Sequence, residues 1–404
     1  MKNCIVGQSG GPTAAINTTL AGVIKEALKN SSEIGTIYGA VHGVEGILNE
    51  KFINLSEIFN DEKNLKLLVQ TPASYLGSCR KKLPKIDEDE ETYKKIFSVF
   101  EKMNVGYFFY IGGNDSMDTV DKLNDYALLH NIDVKIMGVP KTIDNDLPVT
   151  DHTPGFGSAA KYIATTVREI SVDAFVYDLK SVLIVEIMGR NAGWLTAAAA
   201  LSRTDKNPAP HLIYLPENVF DLDEFIEDVK QKVKEHGNIV VCVSEGIHFK
   251  DGTYVCETTS NGLTDVFNHK QLSGTAKFLE GVVREKLGFK ARAVELNVCQ
   301  RSASHIASLC DLEESKNIGS AAVLFALKGK SGEMMVFNRV SDSPYEFNIS
   351  SVNIKKTANL EKCVPVEWTT KNDVLKPLID YLKPLIQGEP DVLFEEGIPV
   401  HIMR

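Results

Sequence analysis

Residues 107–123 read YFFYIGGNDSMDTVDKL, and the fold turns on how that stretch is taken. Tyr107–Ile111 is a continuous apolar run, as expected of a parallel strand buried on both faces. Gly112-Gly113 break the run, and a helical pattern follows from about Ser116 to His130. The same order recurs along the chain. Cys4–Val6 leads through the turn Gly7–Gly11 to a helix from about Thr13 to Leu28, with Ile16, Leu20, Val23, Ile24 and Leu28 at helical spacing. Val134–Val139 is closed by Pro140, and Val182–Ile187 precedes MGRNAGW and an alanine-rich helix at Leu195–Ser202. Asn238–Val243 runs into Ser244-Glu245-Gly246. Strand, polar turn and helix without long gaps predict α/β architecture with two Rossmann-like, doubly wound lobes. In such lobes ligands sit beyond the carboxyl ends of the strands, where these turns fall.

A chain of 404 residues is too long for one ordinary core, which predicts two lobes with additions. The expected division is a donor-binding lobe at 1–150, rejoined by about 300–340, an acceptor lobe at 151–299, and a C-terminal addition at 341–404. A formal net charge of −10 argues against a nucleic-acid or anionic-membrane binder, since both need a basic field. The seven cysteines are scattered without a CxxC pair, which disfavours a disulfide framework or a zinc site. MKNCIVGQSGG lacks an apolar leader, and a cytoplasmic location is the expectation.

The turns themselves are chemically unusual. GQSGGPTAAIN (7–17) lets backbone N–H groups approach an anion at a helix start, although glycine turns are also common punctuation. In IGGNDS (111–116), Asn, Asp and Ser at a helix start satisfy ordinary capping. PKTIDND (140–146) is harder to dismiss. Asp144 and Asp146 with Thr142 and Asn145 are more polar groups than a cap needs, and clustered acids repel. A cation to bind, or a hydroxyl to deprotonate, would account for them. MGR (188–190) puts a cation just after one strand, and SEG (244–246) puts an acid after another. GSCRKK (77–82) and RAVELNVCQR (292–301) add further arginines, a residue type suited to bidentate phosphate capture. Any one of these is more often a surface charge than a ligand; their sum points to transfer of phosphate between two anions.

Taken in order and spacing, SGG, GSCR, GGNDS, PKTIDND, MGR, SEG and the paired arginines resemble the phosphofructokinase family over most of the chain. The resemblance implies transfer of a phosphoryl group to the 1-hydroxyl of fructose 6-phosphate, with magnesium as cofactor. It implies that Asp144 is the general base, ionised near an ordinary pKa of about 4, and that Arg80 stabilises the phosphoryl group in flight. Gly10 and Gly11 would face the donor. Thr142, Ile143, Met188, Gly189, Arg190 and Glu245 would line the sugar. Arg292 and Arg301 would hold its 6-phosphate, with Val298, Cys299 and Gln300 alongside. Asn114 and Asp146 would face the metal, Asn114 standing where the family usually has an aspartate. Ser181 replaces an arginine that bacterial relatives extend toward a neighbouring subunit, with Lys180 nearby. Asp115 and Lys141 match the pyrophosphate-using type, whose relatives have PKT where ATP users have PGT. The partners implied are pyrophosphate, fructose 6-phosphate and further copies of the chain, as a homodimer or homotetramer with shared sites and Arg292 as the shared residue. An ATP-dependent enzyme and a non-catalytic sugar-phosphate sensor are the alternatives.

Overall fold

A computed structural model describes residues 1–258 and 273–404. The first sheet opens with β1 (Lys2–Gln8), β2 (Ile34–Ala40), β3 (Phe52–Asn54), β4 (Val105–Gly112) and β5 (Lys135–Pro140). The second holds β6 (Ser181–Ile187), β7 (Leu212–Tyr214), β8 (Asn238–Ser244) and β9 (Lys290–Glu295). The chain then returns to the first sheet as β10 (Glu333–Asp342) and β11 (Tyr345–Asn353). Strand order is β11-β10-β5-β4-β1-β2-β3 in one and β7-β8-β6-β9 in the other. Within these two sheets every pairing among the described residues is parallel except those of β2 with β3 and β10 with β11.

This order locates the crevices. β1 pairs with β2 on one side and β4 on the other, so connections leave the first sheet in opposite directions there. β6 does the same between β8 and β9. At such points the loops diverge and leave a hollow beyond the strand ends. Gly10-Gly11 follow β1, Gly113 follows β4, Lys141 follows β5, Met188 follows β6 and Glu245 follows β8.

Apolar side chains cover both faces of each sheet, which is why the strands read as unbroken hydrophobic runs. The helix Ile16–Lys29 crosses the helix Leu309–Leu327 at very close range. A methyl group at Gly22 would lie 2.1 Å from the Lys316 carbonyl oxygen, and one at Gly319 would lie 2.2 Å from that of Thr19. Only hydrogen fits at either crossing point.

The stretch past residue 341, expected as an addition, is shared between the two layers. β11 is the edge of the first sheet, whereas Val374, Leu378, Leu382 and Leu385 join Trp194 and Phe156 in the core under the second. A buried cluster ties the parts together. His152 Nδ1 lies 2.8 Å from Asp151 and its Nε2 2.7 Å from Glu314. Arg339 donates to Asp151 at 2.9 and 3.1 Å, and the Tyr345 hydroxyl donates to Glu314.

Candidate active site

Between the two sheets lies a cleft of about 730 Å³. Its floor is the PKTIDND turn. Lys141 N–H donates to the Gly112 carbonyl at 2.9 Å, which binds the exits of β4 and β5 together. The Lys141 ammonium donates to the Gly11 carbonyl and is 2% exposed. Thr142 Oγ1 accepts from the Asp144 N–H at 3.1 Å, and Asn145 takes a left-handed φ of 54° to finish the turn. Asparagine tolerates that region better than most residues do.

One wall comes from the first sheet. Gly10 has a φ of 75°, its N–H donates to the Cys79 carbonyl at 3.2 Å, and Ser9 Oγ donates to the same oxygen at 3.0 Å. These bonds hold the GSCR loop against the glycine turn and bring Arg80 to the cleft. The opposite wall comes from the second sheet. Gly189, at a φ of 138°, donates to Glu245 at 3.4 Å, and Ser244 Oγ donates back to the Gly189 carbonyl. Met188, Arg190 and Glu245 thereby reach the cleft from strands that belong to the other lobe.

Electrostatically the cleft is unsettled. Burial pushes Glu245 up to about 8 and, helped by the neighbouring Asp144 and Glu361, pushes Asp146 up to about 7. Burial pulls Lys141 down to about 8, against the pull of Asp144. Asp144 is also raised: burial outweighs Lys141, Arg190 and Arg301. The expectation of an ordinary Asp144 is therefore corrected by its desolvation. Arg301 is lowered by burial and by the nearby Arg80.

Of the residues singled out in the sequence, Gly10, Gly11, Arg80, Asn114, Asp115, Lys141, Thr142, Ile143, Asp144, Asp146, Met188, Arg190, Glu245 and Arg301 all line this cleft. Gly189 and Gln300 stand behind it. Gln300 is buried, and its Oε1 accepts from Met188 N–H at 3.3 Å. Arg292, Val298 and Cys299 are exposed and lie away from it. Arg292 sits on β9, the edge strand of the second sheet, and is not among the residues lining the cleft of its own chain.

Two site features escaped the sequence. Asp115 is no isolated anion, because Lys82 Nζ pairs with it at 2.9 Å and both side chains are about half exposed. The segment Asn359-Leu360-Glu361, with no motif of its own, forms part of the wall. It hangs from Asn114, whose Oδ1 accepts from the Asn359 N–H at 2.5 Å and whose Nδ2 donates to the Leu360 carbonyl at 2.6 Å. Asn114 thus holds the 359–360 segment through both of its polar atoms.

The phosphofructokinase family profile matches residues 3–325. A relative from Xanthomonas campestris pv. campestris, named pyrophosphate–fructose 6-phosphate 1-phosphotransferase, is 41% identical over 99% of this chain and 95% of its own. One of the same name from Methylococcus capsulatus is 38% identical over 99% of this chain and 95% of its own. The crystal structure of a pyrophosphate-dependent phosphofructokinase from Marinobacter aquaeolei superposes with a TM-score of 0.89, at 37% identity, covering 99% of this chain and 95% of that one.

Proposed function

The chain belongs to the phosphofructokinase family, and we infer that its cleft moves one phosphoryl group from pyrophosphate to the 1-hydroxyl of fructose 6-phosphate. Fructose 1,6-bisphosphate and inorganic phosphate are the products, and the reaction is read as reversible. The observation that carries the pyrophosphate reading is Lys141, a buried ammonium at the donor end of the cleft, paired in sequence with Asp115.

The sugar's O1 attacks phosphorus as the bridging P–O bond breaks, and Asp144 takes the hydroxyl proton. Phosphoryl transfer rests mainly on alignment and charge stabilisation. The Lys141 ammonium faces the departing phosphate, and Arg80 faces the group in transit. Glu245 accepts from sugar hydroxyls while Arg190 and Arg301 oppose its phosphate. Because Asp144 must be deprotonated to act, turnover falls as pH drops through a pKa that burial raises.

The residues also suit magnesium. Asp146 Oδ1 is buried with no hydrogen-bond partner among the described residues, and the donors around it are oxygens, as a hard cation prefers. Asp146 would hold the ion, which supplies charge neutralisation for the phosphates. Arg292, exposed on an edge strand, suits a second copy of the chain. Lys290 of the same strand covers the ring of Tyr177 at 5.9 Å, beside exposed Val176 and Leu179. No helix among the described residues is long and apolar enough to cross a membrane, and a cytoplasmic enzyme is the reading adopted. The decisive experiment is product formation by purified protein with sugar phosphate and magnesium, comparing pyrophosphate with ATP at matched concentrations. Equal or greater turnover with ATP would overturn the donor assignment.

A further inference from the structure

The family's usual metal-facing aspartate is an asparagine here, and that asparagine is occupied. Both polar atoms of Asn114 grip residues 359 and 360, and the Asn359 side chain donates in turn to Asp118 at 3.1 Å. The gripped segment carries a carboxylate to the same wall: Glu361, the next residue, lines the cleft. On its far side the segment is fixed to the acidic turn, where Lys362 N–H donates to the Asp146 carbonyl at 2.7 Å. The Lys362 ammonium is anchored below on the Thr150 and Asp151 carbonyls, at 3.1 and 2.7 Å, and on Asn145 Oδ1 at 3.3 Å. Glu361 is therefore held between a clamp on the first lobe and the turn that bears Asp146.

We propose that Glu361 is the second carboxylate of the divalent-cation site, serving with Asp146 and supplying the negative charge that Asn114 lacks. Asn114 becomes a positioning residue that aims Glu361. This rests on the reading of the cleft as a magnesium-dependent phosphotransfer site. Magnesium commonly takes one or two protein carboxylates, keeps several waters, and completes its shell with substrate phosphate oxygens. That fits a place where no group of three acidic, thiol or imidazole ligands exists among the described residues. The buried Asp146 Oδ1 without a partner is the independent sign that a cation belongs here. Glu361 also accepts from Asn191 Nδ2 at 2.9 and 3.1 Å, and a purely structural carboxylate would need only those bonds.

The test uses Mn²⁺ as the probe with inorganic phosphate present to complete its shell, followed by electron paramagnetic resonance of free ion in titrations of the full-length protein. Wild type should bind Mn²⁺ saturably, and Asp146→Asn should abolish that binding. Glu361→Gln, which keeps a hydrogen-bond acceptor for Asn191, should weaken it at least fivefold with an unchanged melting temperature. Asn114→Ala should weaken it by a smaller factor, by releasing the segment. Glu361→Gln binding within twofold of wild type would overturn the assignment while leaving the metal reading intact. Wild type with no saturable binding would overturn both.

Discussion

Two clusters of buried charge are built around neighbouring stretches of sequence, 141–146 and 151–152, and they behave oppositely. In the cleft, Lys141 is drawn down to about 8, Asp146 is pushed up to about 7 and Glu245 to about 8, each toward its neutral form. In the cluster around His152, burial also opposes the imidazolium, but Glu314 and Asp151 more than offset it and the ring rises to about 9. Asp151, despite burial, is held below its usual range by His152 and Arg339. One group of side chains is mutually satisfied and the other is not. A paired buried network holds structure, whereas buried acids and a buried lysine driven toward their neutral forms mark a place that a charged ligand completes.

The comparison breaks if substitutions have crossed effects. Asp144→Asn should lower kcat by about 10³-fold, within the usual range for a general base, without lowering the melting temperature. Glu314→Gln should do the reverse. It strands His152 in the core and should cost roughly 3 kcal/mol of unfolding free energy in urea, while folded enzyme keeps most of its turnover. An unstable but active Asp144→Asn protein would refute the division of labour.

A subtler test follows the pH dependence of stability. The folded pKa of His152 is about 9 against an ordinary 6.5. Protonation is thus favoured by folding, so its stabilising effect is complete below about pH 6.5 and lost as pH rises through 9. At about 1.4 kcal/mol per pKa unit this is roughly 3 kcal/mol, and His152→Gln should remove that pH-dependent portion of the urea-derived free energy.

How much of this was legible in the sequence follows from where the determinants sit. Strands such as Tyr107–Ile111 and turns such as PKTIDND are local, and hydrophobic runs ending in crowded polar groups mark them directly. The structure lengthens the strand to Val105–Gly112 and starts the following helix at Asn114, because caps shift boundaries by a residue or two. Glu361 and Lys362 could not be found that way. They lie more than 200 residues from the turn they brace and follow no strand, so only the return of the chain reveals them. Arg292 differs: the sequence marked it as a residue shared between copies of the chain, and it does not line the cleft of its own chain. Lys82 was visible as one of three cations, but its pairing with Asp115 required the loop geometry fixed by Gly10 and Cys79.

Under the proposed donor assignment Asp115 would stand against a nucleotide's α-phosphate, its pairing with Lys82 bears on how, and the smallest expected effect decides the matter. A bare carboxylate could repel an α-phosphate by roughly 4 kcal/mol at an effective dielectric of 20. Here Lys82 neutralises much of the charge and both groups meet water, where such a pair is worth about 1 kcal/mol or less. Exclusion should then come from the bulk of the side chain, together with the wall at Asn359. Asp115→Asn retains the bulk and removes the charge, so its ratio of kcat/KM for ATP to that for pyrophosphate should rise less than about fivefold. Asp115→Gly with Lys141→Gly removes both the bulk and the ammonium, and should lower pyrophosphate turnover while opening space for ATP. If Asp115→Asn alone admits ATP as well as the double variant does, charge is the filter after all. The cleft's unsettled electrostatics would then extend to its rim.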